Sequence, residues 1–236
     1  MKKYLLILIL LPNLLFSQDL YNKITGLKNE LNYIKKQDYE IKTFSISPSG
    51  DWIILYGEMG YSYNVLTPSA IKHLKKINEN KKNIVDIDLL NDSAWVVISE
   101  HNAFAYKYIT NSLASALKKI NDSKKKINFV SISSKGWLIS YGNNLVAYKN
   151  LPAKMSEKLK ELKGQNIIIK SASITNENGW VIITNDNNYY TENISTECQT
   201  ELKLLKEKNA TLKEVIFFNQ AWFILYNKNE YSTNFL

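Results

Sequence analysis

Five tryptophans, Trp52, Trp95, Trp137, Trp180 and Trp222, follow one another at spacings of 43, 42, 43 and 42 residues. A repeat of this length restricts the fold to a series of like units, each burying its apolar face against its neighbours. The correspondence extends beyond tryptophan. Four residues after each stand Tyr56, Ser99, Tyr141, Thr184 and Tyr226; nine after stand Tyr61, Phe104, Val146, Tyr189 and Tyr231. Turn residues such as Pro48-Ser49-Gly50-Asp51, Ser134-Lys135-Gly136 and Asn176-Glu177-Asn178-Gly179 precede the tryptophans.

Each unit reads as three strands and a helix. The first strand alternates, as in Phe44-Ser45-Ile46-Ser47 and Val130-Ser131-Ile132-Ser133, so it has one polar face. The second, such as Trp52-Ile53-Ile54-Leu55-Tyr56, is apolar at successive positions and must be covered on both faces. The third places its aromatics, Tyr61 and Tyr63 in the first unit, on one face. The period then turns helical, with Ile71, Leu74 and Ile77, and later Cys198, Leu202 and Leu205. Thr67 before Pro68, Thr110 and Ser195 supply capping hydroxyls, and lysines gather toward the helix ends.

The segment 20–36 is an additional helix with Leu27, Leu31 and Ile34 in the same register, and it has no strands before it. The last unit has no helix after it. The expectation is therefore an α+β repeat of five strand-strand-strand-helix units closed into a ring, the N-terminal helix completing the C-terminal unit. An open solenoid would instead want polar caps at its ends.

Period and closure together resemble β-propellers. Each unit has three strands and a helix where an ordinary blade has four strands. Cyclically shifted, the order also resembles the pentein fold of amidinotransferases, deiminases and the ribosomal anti-association factors. The pentein resemblance implies a channel cysteine with histidine and carboxylates. Cys198 instead falls at an apolar helix position, and that chemistry is not expected here.

Lys2 and Lys3 followed by an apolar run from Tyr4 to Leu15 have the layout of a signal peptide, so residues 1–17 are expected to be removed on export and 18–236 to form a single domain. Cleavage would lower the formal charge from +8 to +6. The run is short for a membrane span. Every basic residue is lysine; with no arginine, the usual bidentate readers of phosphate and guanine are missing, and nucleic acid is not an expected partner.

The five tryptophans are expected as the structural repeat core rather than as sugar platforms. His73 and His101 have no ligand at metal spacing, and no metal or cofactor is expected. Asp86 and Asp88 alternate on a first strand and are read as an exposed edge. The position six after each tryptophan varies most: Glu58, His101, Asn143, Asp186 and Lys228. These turns share one rim, flanked by Tyr56, and are the expected ligand-binding set. The expected function is an exported, monomeric, non-catalytic module holding a protein or glycan at that rim. The alternatives are a pentein-like hydrolase or transferase acting through the channel and a purely structural envelope component.

Overall fold

The computed structural model of the protein describes residues 18–235. The expected leader, 1–17, lies outside the described residues. The chain opens with α1 (Gln18–Lys36) and continues through five three-stranded antiparallel meanders. Sheet 1 is β1 (Ile41–Ile46), β2 (Trp52–Tyr56) and β3 (Gly60–Tyr63); sheet 2 is β4 (Ile84–Leu89), β5 (Trp95–Ser99) and β6 (Phe104–Lys107). Sheet 3 is β7 (Ile127–Ile132), β8 (Trp137–Tyr141) and β9 (Leu145–Lys149), and sheet 4 is β10 (Ile169–Ile174), β11 (Trp180–Thr184) and β12 (Tyr189–Glu192). Sheet 5 is β13 (Leu212–Phe218), β14 (Ala221–Tyr226) and β15 (Glu230–Thr233). Helices α2 (Pro68–Glu79), α3 (Asn111–Asp122), α4 (Ala153–Gly164) and α5 (Thr196–Glu207) follow the first four sheets. The oxygens of Thr67, Thr110 and Ser195 accept the Ala70, Leu113 and Cys198 amides, so the expected caps are in place.

The central strands are apolar at almost every interior position, Ser140 of β8 excepted, because each sheet lies between two apolar layers. Toward the preceding unit the tryptophan and the residue two after it point into one layer; the intervening residues point into the next. Between sheets 2 and 3 the layer contains Val96 and Ile98, then Leu113, Leu117 and Ile120 of α3, then Trp137 and Ile139. Sheets 1 and 5 meet through a layer of the same composition. Phe223 and Leu225 come from sheet 5, Trp52 and Ile54 from sheet 1, and α1 supplies Ile24, Leu27, Leu31 and Ile34. Thus α1 occupies the place that α2 to α5 hold in the other layers. Phe44 and Phe223 meet edge to face with ring centroids 5.5 Å apart, and the Ile41 amide donates to the Lys228 carbonyl at 3.1 Å. Among the described residues no strand ladder joins one sheet to another.

All five tryptophans are buried, between 2% and 7% exposed. Their indole N–H groups differ. Trp52 donates to the Lys23 carbonyl at 2.9 Å, Trp95 to Thr67 Oγ1 at 3.1 Å and Trp137 to Ser112 Oγ at 3.1 Å, whereas those of Trp180 and Trp222 have no partner among the described residues. Trp95 thus ties its sheet to the cap of the preceding helix. Trp95→Ala should cost about 3–5 kcal/mol, and Trp95→Phe, which keeps most of the ring, about 1–2 kcal/mol. Denaturant unfolding measures both; a loss below about 1 kcal/mol for the alanine variant would deny the ring its place in the core.

Each first strand carries a bulge at its second residue: Lys42, Val85, Asn128, Lys170 and Lys213. The bulge sharpens the twist where the first strands approach one another. Five helices are followed by a left-handed residue, Asp38, Lys81, Lys124, Asn166 or Asn209, which turns the chain into the next first strand.

Candidate functional site

A three-stranded sheet leaves its first strand as an edge, with backbone amides and carbonyls in need of partners. The first strands lie side by side, β1 by β4, β4 by β7, β7 by β10, β10 by β13 and β13 by β1. No backbone ladder joins them among the described residues. Side chains from the polar face bridge them instead. Asp86 Oδ2 accepts the Val130 amide at 2.6 Å, and Asp88 Oδ2 accepts the Ile132 amide at 2.7 Å. Ser45 Oγ accepts the Leu89 amide at 2.9 Å and donates to Asp88 Oδ1 at 2.9 Å. Between sheets 4 and 5 the polarity reverses: Ser171 Oγ donates to the Lys213 carbonyl at 2.8 Å, and Ser173 Oγ to that of Val215. Between sheets 5 and 1, Thr43 Oγ1 donates to Glu214 Oε2 at 2.6 Å.

Asp86 and Asp88 therefore do not form an exposed edge. Asp86 is 6% exposed, and both face a cavity of about 90 Å³ lined by all five first strands. Glu214 joins them there. Burial pushes the Asp86 carboxyl up to about 7, with the Asp88 charge adding to it, and the Asp88 carboxyl up to about 6. Burial pushes Glu214 up to about 8, helped by the charges of Asp86 and Asp88. The acidic centre escapes a count back from tryptophan because the first turn is one residue shorter in the third and fifth units. Counted from the first-strand starts Ile41, Ile84, Ile127, Ile169 and Leu212, the third positions are Thr43, Asp86, Phe129, Ser171 and Glu214. Among the described residues no group of three or more His, Cys, Asp or Glu is arranged to hold a metal ion.

At the rim of the second turns, the expected set does not converge on one cavity. Glu58 is exposed, with its carbonyl accepting from Lys42 Nζ at 2.6 Å. Asn143 is exposed. Asp186 is held by Thr184 Oγ1 and by Asn188 Nδ2 at 2.8 Å, and those hydrogen bonds keep its carboxyl below the ordinary range. Lys228 pairs with Asp38 at 2.6 Å. Tyr56 is half-buried, its ring 5.8 Å from that of Tyr39.

His101 alone of the six lines the large rim cavity. That cavity, of about 730 Å³, is bounded by Lys42 from sheet 1, by Asn83–Val85 and Ser99–Asn102 of the second unit, and by Asn121, Lys124, Lys126 and Ile127 at the entry to the third. Its inner wall is a tight turn in which His101 and Asn102 are both left-handed, with φ of 63° and 60°. Two such residues in succession are costly without glycine, and the Asn102 side chain holds the turn. Asn102 Nδ2 donates to the Lys125 carbonyl at 2.5 Å, and its Oδ1 accepts the Ile127 amide at 2.8 Å. Asn187, at the equivalent place seven after tryptophan, clamps the fifth unit in the same way, bonding the Ala210 carbonyl at 2.9 Å and the Leu212 amide at 2.7 Å. Asparagine recurs there as Asn144 and Asn229, a signal overlooked in favour of the more variable neighbouring position.

The remaining candidates are structural. Cys198 is fully buried against Leu202 and Leu205, and burial pushes its thiol up to about 12. His73 packs on the Trp95 ring at 5.5 Å, with Nδ1 2.8 Å from the Ser69 carbonyl. No described helix is long and apolar enough to cross a membrane.

No family model matches the chain, and no curated protein matches it. Among solved structures it is similar to the C-terminal domain of gp131 from bacteriophage phiKZ, at 11% identity and a TM-score of 0.38, covering 67% of this chain and 53% of that one. It is also similar to YCF48 from Cyanidioschyzon merolae, at 10% identity and a TM-score of 0.31, with 79% and 63% covered. A catalytically inactive virginiamycin B lyase from Staphylococcus aureus with quinupristin gives 10% identity and a TM-score of 0.29, with 84% of each chain covered. The chain thus spans less than two thirds of the first two. YCF48 and the lyase are propeller-type folds, but similarity at this level carries no functional assignment.

Proposed function

We propose that this chain is an exported, non-catalytic binding module whose five units close into a ring, and that it holds a partner at the rim of its second turns. The observation that carries the binding reading is the rim cavity of about 730 Å³, a size suited to a small ligand or a short segment of a larger one. It is walled by a turn locked in a rare backbone conformation, as binding loops on rigid scaffolds commonly are. Ring closure is supported by the layer that α1 builds between sheets 1 and 5 and by the Thr43–Glu214 bond. A non-catalytic role is supported by the sealed thiol of Cys198 and by the small volume, about 90 Å³, around the three buried acids. Export is supported by the charged and apolar opening of the sequence.

A panel of envelope proteins and glycans, screened against the full chain, tests the rim. At least one should bind, and Asn121→Trp, which places a large ring in the cavity, should weaken that binding by about tenfold or more. Absence of any binder, or one indifferent to the substitution in a normally folded protein, would remove this cavity from consideration.

A further inference from the structure

The rim cavity gathers three lysines, Lys42, Lys124 and Lys126, from two different units. Some lysines elsewhere meet carboxylates, such as Lys35 with Glu230, Lys154 with Glu192, Lys213 with Glu40 at 2.7 Å and Lys228 with Asp38 at 2.6 Å. Lys42, Lys124 and Lys126 line the cavity and have no ion-pair partner among the described residues. Lys42 donates only to the Glu58 carbonyl there.

Glu100 is the one acid in the lining, and it is already engaged. Its Oε1 accepts Asn83 Nδ2 at 2.6 Å and its Oε2 the Asn83 amide at 3.2 Å. Those bonds hold its carboxyl below the ordinary range, with the charges of His101 and Lys42 adding to the effect. The negative end of α3 is likewise occupied: the Lys119, Ile120 and Asn121 carbonyls accept the Ser123 and Lys124 amides. Three lysines against one carboxylate leave the lining with a positive formal charge.

The walls also indicate what bears the negative charge. No Phe, Tyr or Trp is among the residues that line the cavity, so a sugar face lacks its usual stacking platform there. His101 and Asn121 line it with side chains that have no intramolecular hydrogen-bond partner among the described residues, and Val85 offers a half-buried apolar floor. This mixture of amide, imidazole and aliphatic groups suits a peptide backbone with short side chains. Three ammonium groups around it suit carboxylates.

We propose that the cavity takes an acidic peptide segment of a protein partner, its carboxylates meeting Lys42, Lys124 and Lys126 and its backbone meeting His101 and Asn121. This rests on the rim cavity being the binding site and specifies the chemistry of its occupant. The basic excess of the chain would add long-range attraction for such a partner.

The test is a titration of the ¹⁵N-labelled full chain with an alternating Glu-Ala octapeptide, its Gln-Ala counterpart, a galacturonate trisaccharide and inorganic phosphate. The acidic peptide should shift the amides of His101, Asn102 and Lys124 to Ile127, bind more weakly as salt is raised, and lose about tenfold or more in affinity when Lys42, Lys124 and Lys126 are all replaced by Gln. The melting curve of that variant shows whether it remains folded; if it does not, Lys124→Glu with Lys126→Glu, both exposed, provides the same comparison. Equal binding of the Gln-Ala peptide, shifts only with galacturonate or phosphate, or an unchanged affinity in the lysine variants would overturn the proposal. A panel partner lost on Asn121→Trp but untouched by the lysine changes would sink the acidic-peptide inference while leaving the rim reading intact.

Discussion

Removing residues 18–36, which make up α1, should loosen both ends of the chain at once. Amide exchange should rise in β1 and β2 and equally in β13 to β15, while sheet 3 keeps its protection. The reason is that α1 inserts Ile24, Leu27, Leu31 and Ile34, each fully buried, into a layer shared by Phe44 and Trp52 on one side and Phe223 and Leu225 on the other. Lys28 Nζ also donates to the Phe235 carbonyl at 3.1 Å, and Asn32 Oδ1 accepts the Tyr231 hydroxyl at 3.0 Å. A milder form is Leu27→Ala or Leu31→Ala. Each should cost about 2–5 kcal/mol, lowering the melting temperature by roughly 5–15 °C in a domain of this size. The two lie one helical turn apart in a single layer, so their effects should not add. An open array predicts otherwise: loss of α1 would expose sheet 1 and leave sheet 5 as it was. Exchange confined to β1 and β2 would therefore refute the closed ring.

Stability should fall, not rise, as pH increases from about 4 toward about 8. Most carboxylates in folded proteins are held by partners that favour the charged form, so they lose stability in acid. Here the sign is reversed. Glu214, Asp86 and Asp88 have carboxyls raised to about 8, about 7 and about 6, from ordinary values of 4.5 for Glu and 3.8 for Asp. Between those limits the folded chain binds more protons than the unfolded one. Its advantage is complete below the unfolded values and is lost as pH climbs through the folded ones. The slope cannot exceed about 1.4 kcal/mol per pH unit for each group. Asp88 and Glu214 are only half-buried beside the cavity of about 90 Å³, and solvent screening reduces the total to a few kcal/mol. The three titrate as a coupled set, so the observed midpoints belong to the cluster.

Glu214→Gln isolates the effect. The amide oxygen still accepts from Thr43, but nothing remains to ionise at that place. The variant should match the parent near pH 5 and exceed it by roughly 2–3 kcal/mol near pH 9, in urea unfolding at each pH. A parent whose stability climbs from pH 5 to 9, or a Gln variant with the same slope, would show these acids to be ordinary solvated carboxylates.

Much of the architecture is legible in local chemistry. Tryptophan spacing marks the units, continuous apolar runs mark the central strands, and Thr67, Thr110 and Ser195 mark helix starts because their hydroxyls satisfy amides only a turn away. The register of Leu27, Leu31 and Ile34 with the other helices is likewise a local pattern, and it foretold the place of α1. The candidate site was far less legible. Asp86 and Asp88 sit in the same alternation as Ser45 and Ser131, and alternation reports only that one face is polar. It does not say whether that face meets water or the unpaired edge of another strand. The structure answers with the latter, and the Val130 and Ile132 amides are the reason those acids are buried.

The rim was misjudged for a related reason. Glu58, Asn143, Asp186 and Lys228 vary together with His101 because all occupy solvated turns, yet four of the five have no part in the cavity. Its walls come from three consecutive units at unequal depths in the repeat: the bulge of one, the turn and helix end of the next, and the entry to the first strand of the third. Periodicity compares like positions and is blind to meetings between unlike ones. Unit count, strand order and helix caps thus follow from bonds and packing within about forty residues. The buried acids and the unmatched lysines Lys42, Lys124 and Lys126 depend on which unlike positions the packing of the sheets brings face to face, and only the tertiary structure decides that.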